Sequence, residues 1–91
     1  MFRSFRVAGV SFRKGAVRDV VARGGLKQPC TLRACPANLS DKYALAVDVG
    51  GVQVGWVPKK LNRHVDPSCA YVATMHWWDE ASMFCARVDA T

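Results

Sequence analysis

The chain lacks the features that would mark it as a membrane, secreted or catalytic protein. No apolar run approaches the ~18–20 residues that a membrane-spanning helix needs. The N-terminal MFRSFRVAGVSFRKG is interrupted by Arg3, Arg6 and Arg13. It therefore has neither the unbroken apolar stretch nor the small-residue cleavage site of a secretory signal. These absences predict a soluble intracellular protein with no membrane partner, cytoplasmic if the source is a bacterium or a phage.

Catalytic groupings are equally scarce. The only histidines are His64 and His76, and neither has a visible nucleophile beside it. Asp41, Asp48, Asp66, Asp79 and Glu80 are not grouped at ligand spacing, as a metal-dependent nuclease would require. Cys30, Cys35, Cys69 and Cys85 contain no C-x2-C pair, so the tetrahedral zinc pattern is missing. Buried thiols acting as small hydrophobes are the expected role. A Cys69–Cys85 bridge across a hairpin is open on spacing but disfavoured inside a cell. The expectation is a chain that is not an enzyme, with no catalytic residues, metal, cofactor or small-molecule substrate.

What is present is a single 91-residue domain, 1–91, with half its residues hydrophobic and a net charge of +6. A domain this short buries only about 60–65% of its unfolded surface, so one core must suffice. The bases are unevenly placed. Arg3, Arg6, Arg13, Lys14, Arg18, Arg23, Lys27 and Arg33 crowd the first third, Lys59, Lys60 and Arg63 form a second group, and from Ser68 onward only Arg87 remains. This asymmetry predicts a basic face suited to polyanions.

Residues 5–12 read as a first strand, with Gly9 marking a bulge or a close backbone approach. Val17, Val20 and Val21 recur at helical spacing before Gly24–Gly25, which predicts a helix at 16–23. A second strand is expected at 29–35. Tyr43, Leu45, Val47 and Val49 share one face of a third strand. Gly50–Gly51 makes a two-residue turn into a fourth, which pairs Val49 with Val52, Val47 with Val54 and Leu45 with Trp56. Asp48 and Gln53 take the other face. Pro58 suits a first helical position, giving about two turns through KKLNRHV. Two final strands flank Asp79–Ser82. Five or six strands with two short helices argue for a mostly β fold, a small, partly open OB-like β-barrel, with an SH3-like barrel second.

Three segments in order, VAGVSFRKG at 7–15, NLSDKYALAV at 38–47 and GVQVGWVPKKL at 51–61, resemble the HIRAN domain family. That family occurs at the N-terminus of certain DNA-repair helicase-like ATPases and as free-standing bacterial or phage proteins. Its pattern is a V-x-G strand, then N-P-x-D-x-x-A-I-x-V, then G-x-x-x-G-[YHW]-[IVL] leading into a helix. The resemblance implies an OB-like domain that binds single-stranded DNA at its free 3′-hydroxyl end. It maps Ser11 and Phe12 to the base-contacting exit of strand one and Asp41 to the acid that receives the terminal hydroxyl. Trp56 falls on the aromatic after the second glycine, and Lys59 on a phosphate contact. Leu39 and Ser40 replace the motif's proline and aromatic, so no aromatic clamp carries over to Ser40. Ser11 lacks the family's charge, although Arg13 and Lys14 follow it.

Each candidate has a plainer role. Phe12 and Trp56 suit a core, Asp41 a turn cap, and Lys59, Lys60 and Arg63 a solvated helix face. A second reading is a protein-interaction module using Trp77, Trp78 and exposed strand edges to dock on a nuclease or helicase or to form a homodimer.

Overall fold

The computed structural model describes residues 4–38, 40–78 and 83–90, with backbone alone for 11, 76–78 and 83–86. Six strands form one antiparallel sheet: β1 (Ser4–Arg6), β2 (Lys27–Ala34), β3 (Leu45–Val49), β4 (Val52–Trp56), β5 (Tyr71–Trp78) and β6 (Met83–Ala90). Among the described residues one α-helix, α1 (Lys14–Gly24), lies between β1 and β2. The strand order is β1-β6-β5-β2-β3-β4. The sheet's two ends meet where Ala8, just beyond β1, bridges to Trp56 at the end of β4. Ala8 donates its N–H to the Trp56 carbonyl at 2.8 Å and accepts the Trp56 N–H at 2.9 Å. The sheet is thereby curled into a small β-barrel.

The seam depends on a glycine. Any Cβ at Gly55 would strike the Ala8 carbonyl oxygen and a Val7 methyl, so the crossing backbones require a residue with no side chain. Inward-facing residues fill the barrel: Val47, Val49, Val54, Ala73 and Val88 are fully buried, and Met75 nearly so. Burying one such side chain contributes about 1.5–3 kcal/mol. The helix adds Val17 and Val20 to the same core. Valine is a poor helix former, so this packing holds the helix. Gly25, at a φ of 86°, ends it by donating to the Val21 carbonyl. Gln28 then ties the helix end to β2, its Nε2 donating to the carbonyls of Val20 (2.7 Å) and Gly25 (2.8 Å).

The first strand is shorter than the 5–12 expected from sequence. Gly9 adopts a left-handed φ of 75°, and a 3-10 turn over Val10–Arg13 runs directly into α1. The apolar period changes there, from alternation at Phe5 and Val7 to helical spacing at Val10, Val17 and Val20, all buried. Ser11 and Phe12 consequently lie in a helical turn and not at a strand exit.

The hairpin also departs from even pairing. Val49 faces Val52 as expected, across Gly50 and Gly51, both at positive φ. The register then shifts between Asp48 and Val47, so that Val47 faces Gly55 and Ala46 faces Trp56. The extra residue at this β-bulge is Val54, which is fully buried. The expected Val47–Val54 and Leu45–Trp56 pairs therefore do not form. Tyr43 precedes β3 and is exposed, so it does not share the inward face of Leu45, Val47 and Val49.

After β4 the expected two-turn helix is only a 3-10 turn at Asn62–His64. Pro58 accepts the Leu61 N–H and Leu61 accepts the His64 N–H. Val65 then turns extended, at φ −115° and ψ 148°, and its side chain is buried in the core. That anchor stops the helix.

On the outer face Asp48 and Gln53 sit together as expected, joined by Arg33. Its guanidinium pairs with both Asp48 oxygens, at 2.8 and 3.3 Å. Cys30 is buried, which pushes its thiol up to about 11. The Cys69–Cys85 pairing falls on a side chain outside the described residues.

Candidate nucleic-acid interface

The loop between β2 and β3 is built on two polar side chains. Asn38 Oδ1 accepts the N–H groups of Ser40 (2.9 Å) and Asp41 (3.1 Å), the self-capping turn that asparagine favours. Asp41 repeats the device, its Oδ1 accepting the Tyr43 N–H at 3.0 Å and its carbonyl the Ala44 N–H at 3.1 Å. The other carboxylate oxygen, Oδ2, accepts from Asn62 Nδ2 at 2.6 Å. Asn62 is buried and arrives from the 3-10 turn after β4. This bond fastens the loop to the far side of the hairpin. A carboxylate offers about four acceptor sites, and these two bonds leave about half of them for a ligand.

Two depressions flank that bond. The first, about 270 Å³, is lined by Asn38, Ser40, Asp41, Trp56 and Lys59, with Ala8, Ala44 and Val57 at its floor. Trp56 is half-buried, and its indole lies so close to Gly9 that a Cβ there would sit 3.4 Å from Cδ1. The barrel seam thus carries the aromatic wall of the cleft. The second depression, about 460 Å³, is lined by Lys42, Tyr43, Asn62 and Arg63, and shares Ala44 with the first. Here the Arg63 guanidinium lies 4.6 Å from the Tyr43 ring centroid and Lys42 Nζ 5.3 Å from it, both within cation–π range.

No protein-family model, curated protein or solved structure matches this chain.

Of the residues singled out from sequence, Ser40, Asp41, Trp56 and Lys59 share the first cleft, and Arg63 lines the second. Phe12 lines neither. It is 91% exposed, so it has no core to fill. Its N–H bonds the Gly9 carbonyl at 3.1 Å, which keeps it one turn from the residue that backs Trp56. Lys14 and Lys60 are exposed and Arg13 half-exposed, outside both depressions. The Ser11 side chain and those of Trp77 and Trp78 lie outside the described residues. Groups of His, Cys, Asp or Glu placed to hold a metal ion are absent among the described residues, and no described helix is long and apolar enough to cross a membrane.

Lys42, Tyr43 and Asn62 were not legible as site residues. Tyr43 shares parity with Leu45, Val47 and Val49, so alternation placed it inward. Its ring meets Arg63 only through tertiary folding, which leaves no local signal. The Asn62–Asp41 bond likewise spans segments far apart in sequence.

Proposed function

We propose that this chain is a non-enzymatic nucleic-acid-binding module of OB-like architecture, resembling HIRAN, that holds single-stranded DNA at its free 3′-hydroxyl end. One observation carries the reading. Ser40 and Asp41 from one segment, and Trp56 and Lys59 from another, line a single open cleft. The indole offers a stacking face, worth about 1–3 kcal/mol per base. Lys59 and neighbouring Lys60 supply charge for phosphate, which positions a strand without reading its sequence. Exposed Phe12, flanked by Arg13 and Lys14, provides a further platform near the same seam.

Asp41 would receive the terminal hydroxyl on its spare acceptor sites. An end bearing phosphate would bring like charges together there, so selectivity arises by repulsion. The test is fluorescence anisotropy with matched oligonucleotides ending in 3′-hydroxyl or 3′-phosphate, and a blunt duplex. The expected order is hydroxyl over phosphate over duplex. Affinity should fall by about 0.7 log unit per log unit of salt for each phosphate neutralised. Equal binding of the two single strands would remove end reading and keep strand binding. Absence of binding to every probe would overturn the proposal in favour of a protein-interaction module.

A further inference from the structure

The second depression has chemistry of its own. Lys42 and Arg63 converge on one tyrosine ring, and no carboxylate among the described residues lines the space they share. The ion pairs found among the described residues, Arg33–Asp48 and Arg87–Asp89, involve neither cation. Two cations set around one ring with no carboxylate paired to either leave positive charge for an anion to meet. The ring itself is partly open, with Tyr43 45% exposed. A folded chain that keeps an aromatic face and two unneutralised cations around about 460 Å³ presents complementary parts for a base and its phosphate.

We propose that Tyr43, Arg63 and Lys42 form a second nucleotide subsite, which takes a nucleotide beyond the terminal two of a strand whose end occupies the Trp56–Lys59 cleft. This rests on the strand-binding reading above. The two depressions meet at Ala44, and the Asp41–Asn62 bond stands between them. A strand crossing this saddle stacks on Trp56 on one side. On the other, the Arg63 guanidinium and Lys42 ammonium take phosphate while a base packs against the exposed part of the Tyr43–Arg63 pair. Arginine suits this position because its planar group stacks on an aromatic and donates to phosphate at once. The subsite therefore adds length dependence: a very short oligonucleotide fills only the first cleft, and a longer one fills both.

The experiment compares the intact chain with Tyr43→Leu, Arg63→Gln and Lys42→Gln against single-stranded oligothymidylates of two and eight nucleotides. Anisotropy is read across a salt series, and circular dichroism confirms that each variant folds. These side chains are exposed, so folding is expected to survive. For the eight-mer, Tyr43→Leu should weaken binding about 5- to 160-fold, and Arg63→Gln should lower the salt slope by about 0.7. Two-mer binding should stay unchanged. The subsite is overturned if the eight-mer binds every variant with parental affinity and salt slope, an outcome that leaves strand binding intact. It is also overturned if the parent binds neither oligonucleotide, which removes the strand-binding reading with it. Arg63→Lys, which keeps charge but not planarity, should restore the salt slope without restoring full affinity.

Discussion

Adding a single methyl group at Gly55 should open the barrel. The Cβ would meet the Ala8 carbonyl oxygen and press on Val7. The first of these is backbone, so it cannot rotate aside as a flexible side chain would. Relief requires the N-terminal segment to move off β4, which breaks the paired Ala8–Trp56 hydrogen bonds of 2.8 and 2.9 Å. Overpacking a tight site costs about 1–3 kcal/mol, and two lost backbone bonds add about 0.5–1.5 kcal/mol each. The sum, roughly 2–6 kcal/mol, is a large share of the ~5–15 kcal/mol that holds a domain folded. At about 4–8 °C per kcal/mol for a chain of this size, Gly55→Ala should melt at least ~8 °C below the parent. Gly15→Ala is the control, because Gly15 lies in α1 and a methyl group there would meet nothing within 4 Å. It should stabilise by about 0.5–1 kcal/mol. Thermal melts followed by far-ultraviolet circular dichroism decide between them. A Gly55→Ala melting point within about 2 °C of the parent would refute the seam as a close, rigid crossing.

Other consequences follow from single contacts. Asn62→Ala removes a short bond to the Asp41 carboxylate, and urea denaturation should register a loss of about 1.5–3 kcal/mol; an unchanged midpoint would mean the loop holds itself. Burial keeps the Cys30 thiol up to about 11, so at pH 8 only about one molecule in a thousand carries the thiolate. Iodoacetamide should alkylate half-buried Cys35 well before Cys30, and peptide mapping that finds equal rates would contradict this. The Ser68 hydroxyl and N–H hold the Asp66 carboxyl below its ordinary range. Its stabilisation is present above the unfolded-state value and disappears as pH falls through the folded one. Asp66→Asn should therefore flatten part of the acid limb of stability against pH, and an identical limb would show that Ser68 contributes nothing.

The hairpin was legible because alternation and a Gly-Gly turn are local properties. Its bulge was not, since Val52, Val54 and Trp56 keep unbroken alternation in the sequence while the register shifts at Val54. The first strand ends early for a related reason. Val10 continues the apolar pattern in sequence, yet Gly9 at positive φ changes the period from two to that of a helix. Pro58 read as a helix start, but what ended that helix after one 3-10 turn was the demand for Val65 in the core. The site follows the same division. Ser40, Asp41, Trp56 and Lys59 were nameable from ordered segments, whereas Tyr43, Lys42 and Asn62 acquire meaning only once Arg63 and Asp41 are brought across from elsewhere.

Asp41 illustrates why a binding assay at this site must compare ends and not only variants. Its carboxylate accepts from Asn62 and from the Tyr43 amide, so it shapes the loop before any ligand arrives. Asp41→Asn would place an amide donor against one of those two donors and loosen the hold on Tyr43 or on Asn62. A weaker affinity in that variant is therefore expected whether or not the acid touches DNA. The ratio between 3′-hydroxyl and 3′-phosphate oligonucleotides separates the roles. A loop defect lowers both affinities by the same factor and preserves the ratio. Loss of a direct contact removes an attraction to one end and a repulsion of the other, which draws the ratio towards one. An Asp41→Asn variant with the parental ratio would confine the carboxylate to the turn, however far its absolute affinity had fallen.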